Sequence, residues 1–366
     1  MAMAVPATLC AAVHARMAPS HMQEDERKEA TASKTSISQL PVFFFHGVVD
    51  SAYSGRNYVA NLTAEGRKIT ALDCCENECS IAPLLYQASL ATTQIRKVIA
   101  ADPEAYKNGY IFIGYSQGGA LSRAVIELMD DHDVKVYISL AGVQDGIFYG
   151  PQHDDAVALR EFIGGFGALL IPTSVFDAST YTPDDLHGKM QSDLNDVMLS
   201  KAQKVYSLFN LYRSPQHELW TKANAFFPLI NNVNKCDDDD VACVAAQKKR
   251  RENFLRVKAA HFFASPQDGV VSPWQTGVFG QYRDIDIAAS INEEYERLDI
   301  IDMKETKEYK EDTFGLKTLD ERGDLSLHVI PGLHHSCWVE DVPESEGVQP
   351  CAFQKVYMEH IYPLLR

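Results

Sequence analysis

The sequence predicts an α/β fold in which a mostly parallel central sheet carries helices on both faces. Short apolar runs of strand length, such as Tyr110-Ile111-Phe112-Ile113, alternate with segments whose apolar residues recur at helical spacing. Strands alternating with helices build parallel sheets, with right-handed crossovers that gather the connecting loops at the carboxyl ends of the strands. One such run passes straight into a helix through Gly114-Tyr115-Ser116-Gln117-Gly118, a junction that fits a sharp strand-to-helix turn.

Taken in order, residues 16–39 are polar, charged and rich in Ser, Thr and Ala, and are expected to be a disordered lead-in. Residues 1–15 end in a cleavage-like Val-His-Ala but lack a positive start and a strongly apolar centre. Segment 1–39 is therefore a poor secretory signal at best. The folded domain is expected to span 40–366. Its first strand, 40–45, runs into His46-Gly47-Val48-Val49-Asp50-Ser51. A strand at 69–72, a helix at 81–101, the strand-turn-helix unit 109–128 and a strand at 135–141 follow.

Regularity then fails from about 143 to 256, a stretch holding Phe162, Phe166, Leu169, Leu170, Leu208, Leu211, Trp220 and Phe227. Residues 150–256 are expected to form an insertion. Its composition fits a lid over the site and a helical subdomain with its own core equally well. Strands resume at 259–264 and 325–330, and a helix at 353–365 closes the chain.

The Gly-x-Ser-x-Gly turn is the main chemical signal. A serine on so tight a turn takes a strained backbone conformation, and the residues two places either side must lack a Cβ. The hydroxyl then projects beside free N–H groups at the helix start. This suits a nucleophile, here Ser116. A serine hydroxyl needs an imidazole to take its proton and a carboxylate to orient that imidazole. Asp268 follows a strand inside Ser265-Pro266-Gln267-Asp268-Gly269, and His334-His335 lie in the exit loop of the last strand. The order Ser…Asp…His is that of the α/β-hydrolases. Gln117 and Val48 are the candidate oxyanion donors through their backbone N–H groups. His46 is expected to stabilise its turn, and Asp50 to bond backbone nearby.

Other functions are excluded or unsupported. A formal net charge of -16 argues against nucleic acid or an anionic membrane surface as the main partner. No apolar run approaches the roughly 20 residues that span a bilayer. The eight cysteines lack zinc spacing, although Cys236 with Cys243, and Cys337 with Cys351, are close enough in sequence for disulfides, and Cys74, Cys75 and Cys79 could supply another. Asp237 to Asp240 with Glu252 fit a solvated loop better than a metal site. No phosphate loop or nucleotide fingerprint is present, so no cofactor and no metal are expected. Asn61-Leu62-Thr63 is a glycosylation sequon.

At these residues the chain resembles the palmitoyl-protein thioesterases, and most of all their thioesterase 2 branch. The matching stretches are His46-Gly47 with Asp50-Ser51, Tyr115 to Gly119, Met129-Asp130-Asp131-His132, Asn253 to Val257, Asp268-Gly269-Val270 with Pro273-Trp274-Gln275, Phe279-Gly280, Phe314 to Lys317, and His335 with Trp338. The resemblance spans roughly 40–366 and implies an α/β-hydrolase fold, Ser116 as nucleophile and Asp268 as the acid. It implies hydrolysis of long-chain fatty acyl thioesters, of CoA or of S-acylated protein, through an acyl-enzyme. In the thioesterase 2 branch a Trp follows the catalytic His by three residues, which favours His335; a gap-free comparison with the other branch gives His334. The resemblance also implies a lysosomal or secreted address, a Cys337–Cys351 bridge, and an acyl groove or lid in the insertion. That insertion is longer than the family pattern, and the family's middle-domain cysteines have no obvious counterparts. An oxygen-ester lipase with the same triad and a catalytically silent lipid-binding protein are the alternatives.

Overall fold

A computed structural model describes residues 39–152, 170–237, 239–345 and 348–366. The expected lead-in, apart from Gln39, and Phe162, Phe166 and Leu169 of the expected insertion lie outside the described residues.

The sheet is built from β1 (Val42–Phe45), β2 (Ile69–Ala71), β3 (Tyr110–Tyr115), β4 (Val134–Leu140), β5 (Ala259–Ala264) and a last strand, Leu325–Val329. Two short strands, β6 (Gln281–Tyr282) and β7 (Ile300–Ile301), form a separate antiparallel ribbon, so the last sheet strand is β8. The six-stranded order is β2-β1-β3-β4-β5-β8, and every neighbouring pair is parallel. In β1 and β3 alternate residues enter opposite cores, as the two-residue period of a pleated strand requires. Phe43, Phe45 and Phe112 pack into one core, and Val42, Phe44, Ile111 and Ile113 into the other. Both faces are covered, which is why these strands read as continuous apolar runs.

After β1 the chain moves outward to β2, then crosses back to place β3 on the other side of β1. This reversal opens a crevice beyond the carboxyl ends of β1 and β3, where α/β folds bind ligands. The helices α1 (Arg56–Ala64), α2 (Leu84–Ala101) and α3 (Gln117–Leu128) accompany this half. Helix α2 begins at Leu84 rather than at 81, because Pro83 at its N-cap is extended and lacks the N–H to continue a turn from Asn77–Ile81. The sequon residue Asn61 lies within α1, where its Nδ2 donates to Gln354 Oε1 at 3.0 Å.

The stretch after β4 holds short helices, among them α4 (Lys189–Met198), and ends in α5 (Val241–Phe254). Helix α5 packs on the body: Asn253 Nδ2 donates to the Glu127 carbonyl at 2.9 Å, at the end of α3. The interval 150–256 thus ends in a helix bonded to the end of α3. Asp240, the last of the acid run, caps this helix by accepting from the Cys243 N–H at 2.9 Å. The expected closing helix 353–365 is broken into an α turn (Phe353–Val356), a π turn (Tyr357–Ile361) and a 3-10 turn (Tyr362–Leu365). Pro363 supplies no N–H to a continuous α ladder there. No described helix is long and apolar enough to cross a membrane.

Disulfides join Cys75–Cys79, Cys236–Cys243 and Cys337–Cys351. Among the described residues Cys74 lies outside these bridges, and burial pushes its pKa up to about 11.

Candidate active site

Ser116 sits between β3 and α3 with φ 55° and ψ -126°, a backbone conformation that L-residues avoid. The flanking glycines make it possible. A Cβ on Gly118 would lie 2.4 Å from the Phe45 carbonyl oxygen, and one on Gly114 2.3 Å from Ser122 Oγ. Any side chain at either place would drive α3 off the sheet. The Ser116 side chain caps none of the first helical N–H groups. The hydroxyl is thus left for chemistry, and the Gln117 N–H stands at the positive end of α3.

Beyond β1, Gly47 and Val48 lie against the elbow; a Cβ on Gly47 would be 3.3 Å from Ser116 Cβ. Val48, Ser116 and Gln117 line one cavity. His46 is buried with its Nδ1 2.9 Å from the Gly47 carbonyl, and Asp50 Oδ1 accepts from the Ser51 N–H at 2.7 Å, so both organise this turn as expected.

Asp268 is reached through the loop after β5. Its Oδ1 accepts the N–H groups of Val270 and Val271 at 3.1 and 2.7 Å, which fixes the carboxylate plane. The other oxygen, Oδ2, accepts from His335 Nδ1 at 2.9 Å, and both side chains are buried. His335 opens a short 3-10 turn (His335–Trp338) past the exit of β8. His334 occupies the N-cap of that turn, its Nδ1 accepting from the Ser336 N–H at 3.4 Å and its ring edge packed near Gly269. Asp268 therefore engages His335 and not His334. Among the described residues His335 bonds Asp268 but not Ser116, although both line the cavity.

Two features of this corner were not legible in sequence. The ring of Tyr115 lies 5.0 Å from the His335 ring, tilted by 36°, and supports it from the residue before the elbow. Burial, and then the charge of Asp268, raise the Tyr115 pKa well above its ordinary value. The first turn of α1 also stitches down the histidine loop. Arg56 donates to Glu340 at 2.9 Å, Asn57 to the Val339 carbonyl at 2.8 Å and Tyr58 to the Trp338 carbonyl at 2.7 Å.

The cavity holds about 450 Å³. Its apolar wall includes Val143, Ile147, Tyr149, Leu170, Leu208 and Leu211, and its polar lining includes Asp50, Arg56, Ser336 and Glu340. Leu170, Leu208 and Leu211 come from the expected insertion. Trp220, Phe226 and Phe227 of the same segment are fully buried and do not line the cavity. The insertion therefore both lines the cavity and joins the core that Phe43, Phe45 and Phe112 form on that face of the sheet. No group of three metal-ligating side chains occurs among the described residues.

A parallel sheet with a strained serine at its switch point and, on the wall of the same cavity, a histidine bonded to a buried aspartate defines a serine hydrolase of the α/β-hydrolase class. A family model described as palmitoyl protein thioesterase matches residues 41–335. The chain belongs to that family of thioester hydrolases. It is 32% identical to the lysosomal thioesterase PPT2 of Homo sapiens over 304 residues, covering 82% of this chain and 83% of the relative. The Mus musculus protein of the same name matches to the same extent. Palmitoyl-protein thioesterase 1 of Caenorhabditis elegans is 28% identical over 309 residues, covering 82% of this chain and 88% of the relative.

Proposed function

We propose that the chain hydrolyses long-chain fatty acyl thioesters, with Ser116 as nucleophile, His335 as base and then acid, and Asp268 as the group that orients the imidazole. The observation that carries this reading is His335, which bonds the buried Asp268 and lines the same apolar-walled cavity as Ser116. The Asp268 carboxylate fixes the proton on Nδ1, so Nε2 is the nitrogen that accepts the Ser116 proton. Catalytic hydrogen bonds commonly close only in the reacting complex, so the open Ser116–His335 contact is compatible with this role.

Ser116 Oγ attacks the thioester carbonyl as its proton passes to His335. The Val48 and Gln117 N–H groups hold the resulting oxyanion, each worth about 2.7–4 kcal/mol of transition-state stabilisation. The carbon–sulfur bond then breaks, His335 returns the proton to the departing thiolate, and the acyl group stays on Ser116. Water, deprotonated by His335, attacks the acyl-serine. Collapse releases the fatty acid and restores the serine hydroxyl. The apolar wall supplies binding energy at about 0.8 kcal/mol for each buried methylene.

The relatives named lysosomal and the three disulfides support an oxidising, lysosomal address. The reading is tested with matched acyl thioesters and oxygen esters across a chain-length series. Thioester turnover rising with chain length and lost in Ser116→Ala is the expected result. Preference for the oxygen esters would make the protein an esterase, and turnover unchanged in Ser116→Ala would refute the assignment.

A further inference from the structure

We infer that Ser80, a residue outside the cavity lining, is the positioning residue that sets the Val48 oxyanion donor. The inference rests on the proposed role of Val48. Ser80 is fully buried in the 3-10 turn Asn77–Ile81. Its Oγ accepts the Val49 N–H at 2.6 Å and donates to the Asn77 carbonyl at 2.6 Å, which uses the hydroxyl in both directions. Its carbonyl accepts from Gln117 Nε2 at 2.8 Å and from Gln87 Nε2 at 2.7 Å. One residue thus holds the backbone next to the Val48 donor and the side chain of Gln117.

The need for such a grip is local. Val49 has φ 53°, left-handed backbone that a β-branched residue resists. The loop beyond β1 is pinned there from outside at three points: Val49 N–H to Ser80 Oγ, Asn77 N–H to the Asp50 carbonyl at 2.7 Å, and Ala52 N–H to Glu76 Oε1 at 2.8 Å. The pinning segment is itself closed by the Cys75–Cys79 disulfide, immediately before Ser80. Without the hydroxyl, the Val49 N–H loses its acceptor and the loop relaxes toward ordinary φ. That rotation swings the Val48 N–H away from the oxyanion position. The His335–Asp268 pair is untouched by it.

Ser80→Ala, with Ser80→Thr as the variant that restores a hydroxyl, tests this with a long-chain acyl-CoA as substrate. Labelling of wild-type Ser116 by a fluorophosphonate is recorded first, so that failure of the hydrolase reading is seen separately. In Ser80→Ala kcat is expected to fall about 10- to 100-fold with KM within twofold, because a misplaced donor acts only on the transition state. A trifluoromethyl ketone of matched chain, whose adduct bears an oxyanion, is expected to weaken by the same factor. Binding of the product fatty acid and the pH profile of kcat are expected to stay put, and Ser80→Thr to recover part of the loss. Unchanged kcat, or ketone and fatty acid binding falling together, would overturn the inference. Should Ser80→Ala not fold, residue-resolved hydrogen exchange on the wild-type chain reads the same contact. A protected Val49 amide supports the inference, and one exchanging like an open loop overturns it.

Discussion

His335 and Asp268 are joined twice: Nδ1 meets Oδ2 at 2.9 Å, and the His335 backbone N–H donates to the Asp268 carbonyl at 2.8 Å. The backbone bond holds the loop after β8 against the loop after β5, and the side-chain bond is then formed between parts already in place. Because one residue supplies both links, a shift of register to His334 would break both.

Substitution separates the two histidines. His335→Ala and Asp268→Asn are expected to lower kcat on an acyl thioester by about 10⁴-fold with little change in KM. His334→Ala is expected to cost no more than a few-fold, since its ring serves the N-cap of the turn. Steady-state kinetics on the three variants check this; the larger loss in His334→Ala would reverse the assignment.

Gly118→Ala probes the elbow itself. The new Cβ would stand 2.4 Å from the Phe45 carbonyl and 2.5 Å from the His46 carbonyl, both rigid backbone atoms at the end of β1. Overpacking of this kind typically costs about 1–3 kcal/mol, and here the displacement falls on the reacting groups. Turnover is expected to be lost out of proportion to the fall in melting temperature. A variant that melts lower but keeps full activity would contradict the geometry.

The strand-turn-helix core of the molecule was plain in the sequence, for a physical reason. Strands buried on both faces must be apolar throughout, and the elbow admits only glycine at 114 and 118, so both leave unmistakable residues. Val48, Gln117 and Asp268 are cavity-lining or cavity-adjacent for the same reason: strand ends in such sheets converge. The insertion was opaque because its short helices have no long periodicity and their apolar residues divide between cavity wall and core. Leu208 and Phe227 look alike in sequence, yet only the first lines the cavity. The π and 3-10 turns at the end, the hydrogen bonds made by Ser80 and Tyr58, and the ring contact of Tyr115 depend on tertiary neighbours that no local pattern encodes.

Stability is expected to fall on both sides of mildly acidic to neutral pH. Glu127 is buried 3.6 Å from Arg123, and burial pushes its pKa from 4.5 up to about 8 against the pull of that guanidinium. The folded chain keeps this proton where the unfolded chain has lost it, so the stabilisation present below 4.5 drains away as pH rises to about 8. His132 and His261 act oppositely: burial lowers each from 6.5 to about 4, so stability drains as pH falls through that window. Glu127→Gln is expected to flatten the alkaline limb by up to about 1.4 kcal/mol per pH unit. Denaturant unfolding from pH 4 to about 9 reads it, and parallel curves for variant and wild type would contradict it.

The Cys337–Cys351 disulfide closes a loop of sequence separation 14 that starts within the His335 turn. Replacing both cysteines with alanine is expected to cost about 3 kcal/mol, chiefly by freeing the unfolded chain. Chemical unfolding of the double variant measures this, and a loss below about 1 kcal/mol would mean the loop is held without the bridge.

Rapid-quench mass spectrometry of the enzyme mixed with a long-chain acyl-CoA shows whether acyl transfer passes through Ser116. One acyl group is expected on the peptide that carries Ser116, formed within the first turnover, with neither adduct nor turnover in Ser116→Ala. Turnover that persists in Ser116→Ala, or an acyl group found on another residue, would rule Ser116 out as the nucleophile.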